Sequence, residues 1–212
     1  MNQEKISNII ISLERTFSIL NRRFYNDQIV STPAITITPG KNKALGWCSC
    51  EKVWKDKRTN VNGDGYYEIN ICADCFDRPF SEIVEIMLHE MAHLYSTERG
   101  IKTTSRNGTY HNKKYKEVAE KHGLVVTKDA RYGFALTELS DEAKAFVASA
   151  CEAEINLYRI SVANTSGPLP TGSAAGSNSR KYQCPGCGQS VRATKEVHVD
   201  CGFCHIPLQL VY

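Results

Sequence analysis

Leu88-His89-Glu90-Met91-Ala92-His93 is the stretch that decides how this chain folds and what it can bind. In an α-helix, residues four positions apart lie on one face, so His89 and His93 can bind the same metal ion. Glu90 projects beside that face, where its carboxylate can take a proton from water. This HExxH spacing predicts a zinc site with a general base next to it.

The residues before the motif predict an apolar helix that carries it. Pro79-Phe80-Ser81 supplies a helix start with Ser81 as the N-cap, and apolar residues follow at helical spacing. These are Ile83, Val84, Ile86, Met87 and Leu88. The alternative, in which both histidines are ordinary core residues, would bury polar groups without partners, and that is costly. We therefore expect the motif to bind metal.

A catalytic zinc ion usually has three protein ligands, so a third one should follow the motif. His111 is the best candidate, because it ends a stretch rich in Gly, Ser, Thr and Asn and precedes a predicted helix. That helix covers Asn112 to His122. His122 lies at its end, where the helix dipole would favour a positively charged ring, and we assign it a capping role.

Two CxxC pairs near the C-terminus predict a second metal centre. Cys184 and Cys187 are separated by thirteen residues from Cys201 and Cys204, and each pair can direct two thiolates to one tetrahedral structural zinc ion. Such a small unit has little apolar core, so the metal should be its main stabiliser. A redox role is less favoured, because no βαβ pattern surrounds the pairs.

Four further cysteines lie in the N-terminal half of the chain: Cys48, Cys50, Cys72 and Cys75. Cys48 and Cys50 share one face of a predicted strand, and a hairpin would return the other two to their neighbourhood. A further zinc site is therefore geometrically possible but not favoured, since cysteine is among the most frequently buried residue types. Nine cysteines without an export signal favour metal sites and free thiols in a reducing cytosol.

The pattern of elements predicts an α+β protein. An amphipathic helix from Ile6 is followed by three strands, the motif helix, two extended pieces and another helix. We place the strands at 34–38, 44–54 and 66–71, a turn at Asn62-Gly63-Asp64-Gly65, the extended pieces at 125–127 and 132–136, and the last helix at 140–155. No apolar run is long enough to cross a bilayer, so we expect a cytoplasmic protein without membrane contact.

Composition divides the chain into three parts. Residues 161–179 are rich in Ser, Gly, Ala, Pro, Thr and Asn and have little apolar material to bury, which predicts a flexible linker. We therefore predict one sizeable domain over residues 1–160 that holds the HExxH motif. The second predicted domain, over residues 180–212, is a small β zinc ribbon that holds the two cysteine pairs.

The formal net charge of +3 is too small to indicate a nucleic-acid partner by itself. Its distribution is more informative, because residues 99–131 contain nine basic side chains and three acidic ones. A basic zone beside the third histidine would attract a polyanion, and a solvated helix face explains it equally well. The candidate nucleic-acid contacts are Arg106, Lys113, Lys114, Arg192 and Lys195.

The chain resembles the SprT-like family, which includes the Spartan proteases that act on DNA-protein crosslinks. The residues that carry the resemblance are His89-Glu90-Met91-Ala92-His93, His111 with Tyr115 four residues later, Lys121-His122-Gly123-Leu124 and the two C-terminal cysteine pairs. The resemblance extends from about Ile6 to about Val211. Several family members have Gly and an aromatic residue after the third histidine, whereas this chain has Asn112-Lys113-Lys114.

The resemblance implies a zincin-like metalloprotease domain followed by a zinc ribbon. This domain would contain an N-terminal helix, a small three-stranded sheet whose edge aligns the substrate peptide, the HExxH helix and further helices. It implies a zinc metalloendopeptidase that cleaves peptide bonds through a zinc-activated water. Glu90 would be the catalytic residue, and His89, His93 and His111 would hold the catalytic zinc. Proteins on or near DNA would be its substrates, with DNA as an activator or scaffold.

Two other functions are compatible with the same residues. The chain would be a nucleic-acid-binding zinc protein if the HExxH site were non-catalytic or regulatory, and it would be a zinc hydrolase if its substrate were not a peptide. The donor to a developing oxyanion is also open at this point, since Tyr110, Tyr115 and Arg106 are all within reach in the sequence.

Overall fold

The computed structural model describes residues 5–40, 44–57, 65–106, 108–150, 155–160 and 180–211. The chain divides into two compact units, Met1–Ser161 and Val162–Tyr212. Helices and small sheets occur together, which confirms the α+β class. The predicted linker at 161–179 and residues 62–64 of the predicted turn lie outside the described residues.

The first helix, α1, spans Ile6–Tyr25 and packs one apolar face against the core. Its buried residues recur at helical spacing, as the sequence predicted, and they include Ile9, Leu13, Phe17 and Leu20. The helix ends where Asn26 adopts left-handed backbone with φ 51°. Asparagine tolerates this conformation better than most residues do, so it provides a natural end to the helix.

The second helix, α2, spans Phe80–Glu98, and most of its residues are buried. Its start differs from the prediction, because Pro79 is the N-cap and no side chain caps the helix. The carbonyl oxygen of Pro79 accepts hydrogen bonds from the N–H groups of Glu82 (2.9 Å) and Ile83 (3.4 Å). Ser81 therefore lies inside the first turn, and its assignment as N-cap is wrong.

The first sheet packs against α2 and has three strands. The strands of this part of the chain are β1 (Ala34–Thr38), β2 (Gly46–Cys48), β3 (Trp54–Lys55), β4 (Gly65–Tyr66) and β5 (Glu68–Cys72). The order in the sheet is β1-β5-β2, with β1 parallel and β2 antiparallel to β5. β3 and β4 form a separate antiparallel pair. The predicted three-stranded sheet is thus present, and β2 is one of its edges.

The strand predicted at 44–54 is too long, because the chain turns at Ser49. The Ser49 hydroxyl accepts a hydrogen bond from the N–H of Glu68 (2.9 Å) and donates one to the carbonyl oxygen of Glu51 (2.8 Å). The hydroxyl thereby accepts the N–H of Glu68, which in a longer strand would bond to a backbone carbonyl oxygen. The chain leaves the sheet at this point and continues as β3 in a different pair.

A second sheet follows α2, and the sequence did not predict it as a unit. Its strands are β6 (Thr104–Ser105), β7 (Tyr110–His111), β8 (Leu124–Asp129) and β9 (Gly133–Leu139), in the order β6-β7-β9-β8. β8 and β9 form an antiparallel hairpin and correspond to the two predicted extended pieces. β6 and β7 have only two residues each, which is too short for a period-two pattern to reveal.

Two further helices complete the first unit. Helix α3 (Lys113–Lys121) follows β7 directly, and the Asn112 side chain caps it by accepting hydrogen bonds from the N–H groups of Lys114 (2.8 Å) and Tyr115 (3.2 Å). Helix α4 spans Asp141–Ala150, and residues 151–154 of that predicted helix lie outside the described part. In the described chain, no helix has the length and apolar composition needed to cross a membrane.

The second unit contains a three-stranded antiparallel sheet and two cysteine turns. β10 (Arg180–Gln183) lies between β11 (Ser190–Ala193) and β12 (Gln209–Val211). Among its described residues, the buried ones are Tyr182, Cys184 and Cys201. Cysteine side chains therefore supply a large part of the small interior of this unit.

Candidate metal centres

Three histidines converge in the first unit, two from α2 and one from β7. The Nε2 atom of His111 lies 3.0 Å from that of His93 and 3.3 Å from that of His89. The ligand atoms of the three side chains lie within 4.8 Å of one another, so the group can hold one metal ion. The structure therefore brings together the three histidines that the sequence analysis proposed as ligands.

The strand that carries His111 is held on both sides. His111 pairs with Thr104 of β6 and with Gly133 of β9, and its N–H donates to the carbonyl oxygen of Tyr132 (2.9 Å). Gly133 has φ 74°, and a Cβ atom at this position would overlap the carbonyl oxygen of His111. Glycine is therefore required where the strand with the third histidine meets β9.

All three imidazoles are favoured in the neutral form, which is the form that binds a metal ion. Burial lowers the pKa of His93 to about 3, and it also lowers the pKa of His89 and of His111. Because a neutral ring has one N–H, hydrogen bonds alone cannot satisfy three Nε2 atoms that face one another and three outer Nδ1 atoms. A cation at the centre satisfies all three Nε2 atoms, so this donor set fits zinc.

Tyr115 lies beneath the three histidine rings. Its side chain is fully buried, and its ring centroid lies 4.9, 4.7 and 4.6 Å from the ring centroids of His89, His93 and His111. Its hydroxyl lies 3.5 Å from the backbone carbonyl oxygen of His89. These contacts assign Tyr115 to the support of the three rings, and they argue against its use as an oxyanion donor.

Glu90 follows the first histidine and is buried, with 5% of its surface exposed. Burial raises the pKa of Glu90 to about 8. The edge strand β2 passes close to this carboxyl group, since a Cβ atom on Gly46 would lie 3.2 Å from Glu90 Oε1 and 2.9 Å from Ile86 Cγ2. A glycine inside a predicted strand is a signal of such a close approach, but Gly46 was not recognised from the sequence.

Two threonines and one acid surround the outer nitrogen atoms of the α2 histidines. Thr103 Oγ1 lies 3.4 Å from His93 Nδ1, and Thr137 Oγ1 of β9 lies 3.4 Å from His89 Nδ1. Thr137 also donates a hydrogen bond to Glu85 Oε1 (3.0 Å). Helical spacing could have indicated Glu85, which lies one turn before His89, but the threonines come from other elements and left no signal.

Four cysteines converge in the second unit. The Sγ atoms of Cys184, Cys187, Cys201 and Cys204 lie within 4.8 Å of one another, so this group can also hold one metal ion. Hydrogen bonds from the backbone N–H groups of Cys204 and Phe203 lower the pKa of Cys201 to about 7, whereas the hydrogen bond with Cys187 raises the pKa of Cys204 to about 12. Cys201 is therefore the member of the group that most favours the thiolate, which is the form that binds zinc.

The two cysteine turns have the same backbone pattern. In the first, the N–H of Gly188 donates to the carbonyl oxygen of Cys184 (2.9 Å), and in the second, the N–H of His205 donates to that of Cys201 (2.8 Å). Gly188 and His205 both have left-handed backbone, with φ 75° and 55°. His205 therefore occupies the turn position that glycine occupies in the first pair, which the sequence analysis did not predict.

The four cysteines of the N-terminal half do not form a group that could hold a metal ion, so the further zinc site that the sequence allowed there is not present. They are Cys48, Cys50, Cys72 and Cys75. Cys48 pairs with Ile69 of β5, and Cys72 lies three positions further along β5, so the two side chains point to opposite faces. Cys75 Sγ contacts the carbonyl oxygen of Leu45 (3.6 Å). Of the residues described, only the three histidines and the four C-terminal cysteines form such groups.

His122 lies at the end of α3, as predicted, but it is not a positively charged cap. Burial lowers the pKa of His122, and its ring stacks on Tyr25 with centroids 4.1 Å apart. Its Nδ1 donates a hydrogen bond to the carbonyl oxygen of Phe24 (2.7 Å). The neutral ring therefore joins α3 to α1 and does not compensate the helix dipole.

The candidate nucleic-acid contacts are exposed in both units. They are Arg106, Lys113 and Lys114 in the first unit, and Arg192 and Lys195 in the second. The first three flank β7, and the Arg106 guanidinium lies 4.7 Å from the ring centroid of Tyr110. Their exposure is compatible with a polyanionic partner and equally with an ordinary solvated surface.

Comparison of the chain with protein-family models, with curated proteins and with solved structures finds no match. The class of protein is therefore described from its fold and its two candidate metal centres. This is an α+β protein with a three-histidine group based on a helix and a four-cysteine group in a small β unit, and each group can hold a metal ion.

Proposed function

We propose that this chain is a zinc-dependent metalloendopeptidase of the SprT-like family with a structural zinc ribbon. The observation that carries the proposal is the convergence of His89, His93 and His111, with Nε2 separations of 3.0 and 3.3 Å, together with the buried Glu90, which directly follows His89 on the same helix. Two histidines on a helix, a third from another element and an adjacent glutamate form the donor set and base of catalytic zinc sites.

The proposed reaction is hydrolysis of a peptide bond. A zinc ion held by the three histidines would polarise the peptide carbonyl and lower the pKa of a water molecule. A zinc cation in this site would favour the ionised form of Glu90, and the carboxylate then accepts the proton that the attacking water loses and donates it to the nitrogen of the departing amine. The water oxygen bonds to the carbonyl carbon as the carbon–nitrogen bond breaks, so each cleavage consumes one water molecule.

The edge of the first sheet supports a peptide as the substrate. β2 is an edge strand of this sheet within the described residues, and Gly46 allows it to pass close to Glu90. An extended peptide can add to such an edge through backbone hydrogen bonds, which do not depend on the identity of its side chains. This arrangement favours a peptide over other hydrolysable substrates.

Proteins bound to DNA are the proposed substrates, with DNA as an activator or scaffold. The family resemblance supplies this part of the proposal, and the exposed side chains of Lys113 and Lys114 agree with it because they follow the third histidine directly. Arg192 and Lys195 would add contacts from the second unit. The eight described cysteines are free thiols, which suits a cytoplasmic location.

The test is a proteolysis assay on DNA-binding proteins, without DNA and with single- or double-stranded DNA. Glu90→Gln should retain zinc, because Glu90 is not a ligand, and should lose about a hundredfold or more in cleavage rate, as expected when a general base is removed. Glu82→Gln is the matched control, since Glu82 lies on the same helix in an exposed pair with Arg78. It should cleave like the wild type.

Cleavage by Glu90→Gln at the wild-type rate would contradict the mechanism. If no condition gives cleavage while two zinc ions stay bound, the alternative is favoured, in which the chain is a nucleic-acid-binding zinc protein with a non-catalytic or regulatory HExxH site. The exposure of basic side chains in both units is the observation that supports this alternative.

A further inference from the structure

We infer that Glu85 and Thr137 are positioning residues that fix the tautomer of His89 and thereby prepare its Nε2 atom for zinc. The inference rests on the proposed metal site and extends it to groups that are not ligands. A chain of two hydrogen bonds carries it, from His89 Nδ1 to Thr137 Oγ1 (3.4 Å) and from Thr137 Oγ1 to Glu85 Oε1 (3.0 Å).

Two elements build this chain of hydrogen bonds. Glu85 and His89 lie one turn apart on the same face of α2, so their side chains are neighbours. Thr137 belongs to β9, which packs against α2 and places the hydroxyl between the two. All three groups are partly buried, which limits the exchange of these bonds for bonds to water.

The direction of the two bonds follows from the chemistry of the groups. A hydroxyl has one proton to donate, and a carboxylate only accepts, so the proton of Thr137 is directed to Glu85. Thr137 then presents only lone pairs to His89, and His89 Nδ1 must carry the ring proton. The lone pair of Nε2 is left for the metal, which is the role that outer contacts have at histidine ligands.

The other two histidines lack this arrangement. Thr103 Oγ1 faces His93 Nδ1 at the same distance, 3.4 Å, but no described acid accepts a hydrogen bond from Thr103, so its hydroxyl can act as donor or acceptor. His111 Nδ1 is buried without a hydrogen-bond partner among the described residues. Within that part of the chain, His89 is thus the ligand whose proton an acid positions.

The first test is NMR of the histidine rings through two-bond proton–nitrogen couplings in the chelator-treated full chain, with His89→Gln used to assign the signals. Wild-type His89 should carry its proton on Nδ1. Glu85→Gln should give a mixture of both tautomers, because an amide can donate to the Thr137 hydroxyl as well as accept from it. Thr137→Val should also give a mixture, and Thr137→Ser should restore the single tautomer.

The second test is the zinc affinity of the three-histidine group, measured by competition with a chelator. Cobalt substitution separates this site from the ribbon, because only the thiolate site has sulfur-to-cobalt charge-transfer absorption. Loss of an outer contact typically lowers metal affinity about 10- to 100-fold, and we expect about tenfold for Glu85→Gln and for Thr137→Val. Thr137→Ser should bind like the wild type.

Thr103→Val is the matched control, because it removes a hydroxyl at the same distance from a histidine and should leave the tautomer of His89 unchanged. The inference is overturned if Glu85→Gln and Thr137→Val both keep the single Nδ1–H tautomer and the wild-type zinc affinity. If the wild-type histidines bind no zinc, the proposed function fails instead, and the tautomer measurement still decides the role of Glu85 and Thr137.

Discussion

The two candidate metal centres of this chain are built on very different amounts of structure. The histidine centre uses a 19-residue helix, most of which is buried, and rests on the fully buried Tyr115. The cysteine centre lies on two turns of a unit whose described residues include only three buried ones. The first centre is therefore formed by the core, whereas the second forms the core of its own unit. Metal removal should leave the first unit folded, whereas it should unfold the second unit.

The largest expected effect is the loss of the fold of the second unit on Cys201→Ser. Zinc binding contributes roughly 10–16 kcal/mol in zinc-finger peptides, and the small apolar interior of this unit cannot replace it. Amide NMR signals of residues 180–211 should lose their dispersion, and the zinc content should fall by one ion per chain. His93→Gln is the matched comparison, since it should also lose one ion but keep the fold of the first unit. A second unit that stays folded without zinc would remove the distinction between the two centres.

Next in size is the effect of removing the tyrosine ring that supports the histidine centre. Tyr115→Ala should lower the free energy of unfolding by about 3–5 kcal/mol, because it leaves a cavity under three rings, and it should weaken zinc binding. Tyr115→Phe keeps the ring and loses only a 3.5 Å contact, so it should cost less than about 1 kcal/mol. Denaturant unfolding of both variants, followed by a probe in the first unit, measures the difference. Equal effects would show that the ring does not support the site.

A smaller effect is expected when the strand with the third histidine is displaced. Gly133→Ala introduces left-handed strain and a clash with the carbonyl oxygen of His111, so it should cost about 2–4 kcal/mol and lower zinc affinity. Gly108→Ala separates the two causes, because Gly108 also has a positive φ, 86°, but a Cβ atom there meets nothing within 4 Å. It should cost about 1–2 kcal/mol and leave zinc affinity unchanged. Similar zinc affinities for the two variants would argue against the role of Gly133.

The smallest effect concerns a histidine that is buried without being a ligand. Burial lowers the pKa of His122 in the folded state, so below the unfolded value of about 6.5 the unfolded chain binds this proton more readily. The contribution of His122 to stability is therefore complete above that pH and declines as the pH falls. His122→Gln should flatten the pH dependence of unfolding of the first unit below about pH 6.5. If the pH dependence of unfolding of His122→Gln ran parallel to that of the wild type, this explanation would be contradicted.

Prediction from the sequence was most successful where the signal is local. Four-residue spacing placed His89 and His93 on one helix face, and CxxC spacing placed two thiols on each turn of the second unit. Alternation also predicted β1 and β5, but it could not show that Ser49 ends β2 by taking over a backbone bond. It also suggested that Cys48 and Cys72 could meet, although the register with Ile69 puts them on opposite faces.

The sequence by itself determined the types of ligand, their local spacing and the division into a helix-based and a turn-based centre, because these depend on residues within a few positions of one another. Only the tertiary structure decided that His111 meets the motif, that Tyr115 lies beneath all three rings and that Thr137 joins Glu85 to His89. These contacts depend on the packing of α2 against β7, β9 and α3. The relative position of such elements is set by the whole core, and no short pattern encodes it.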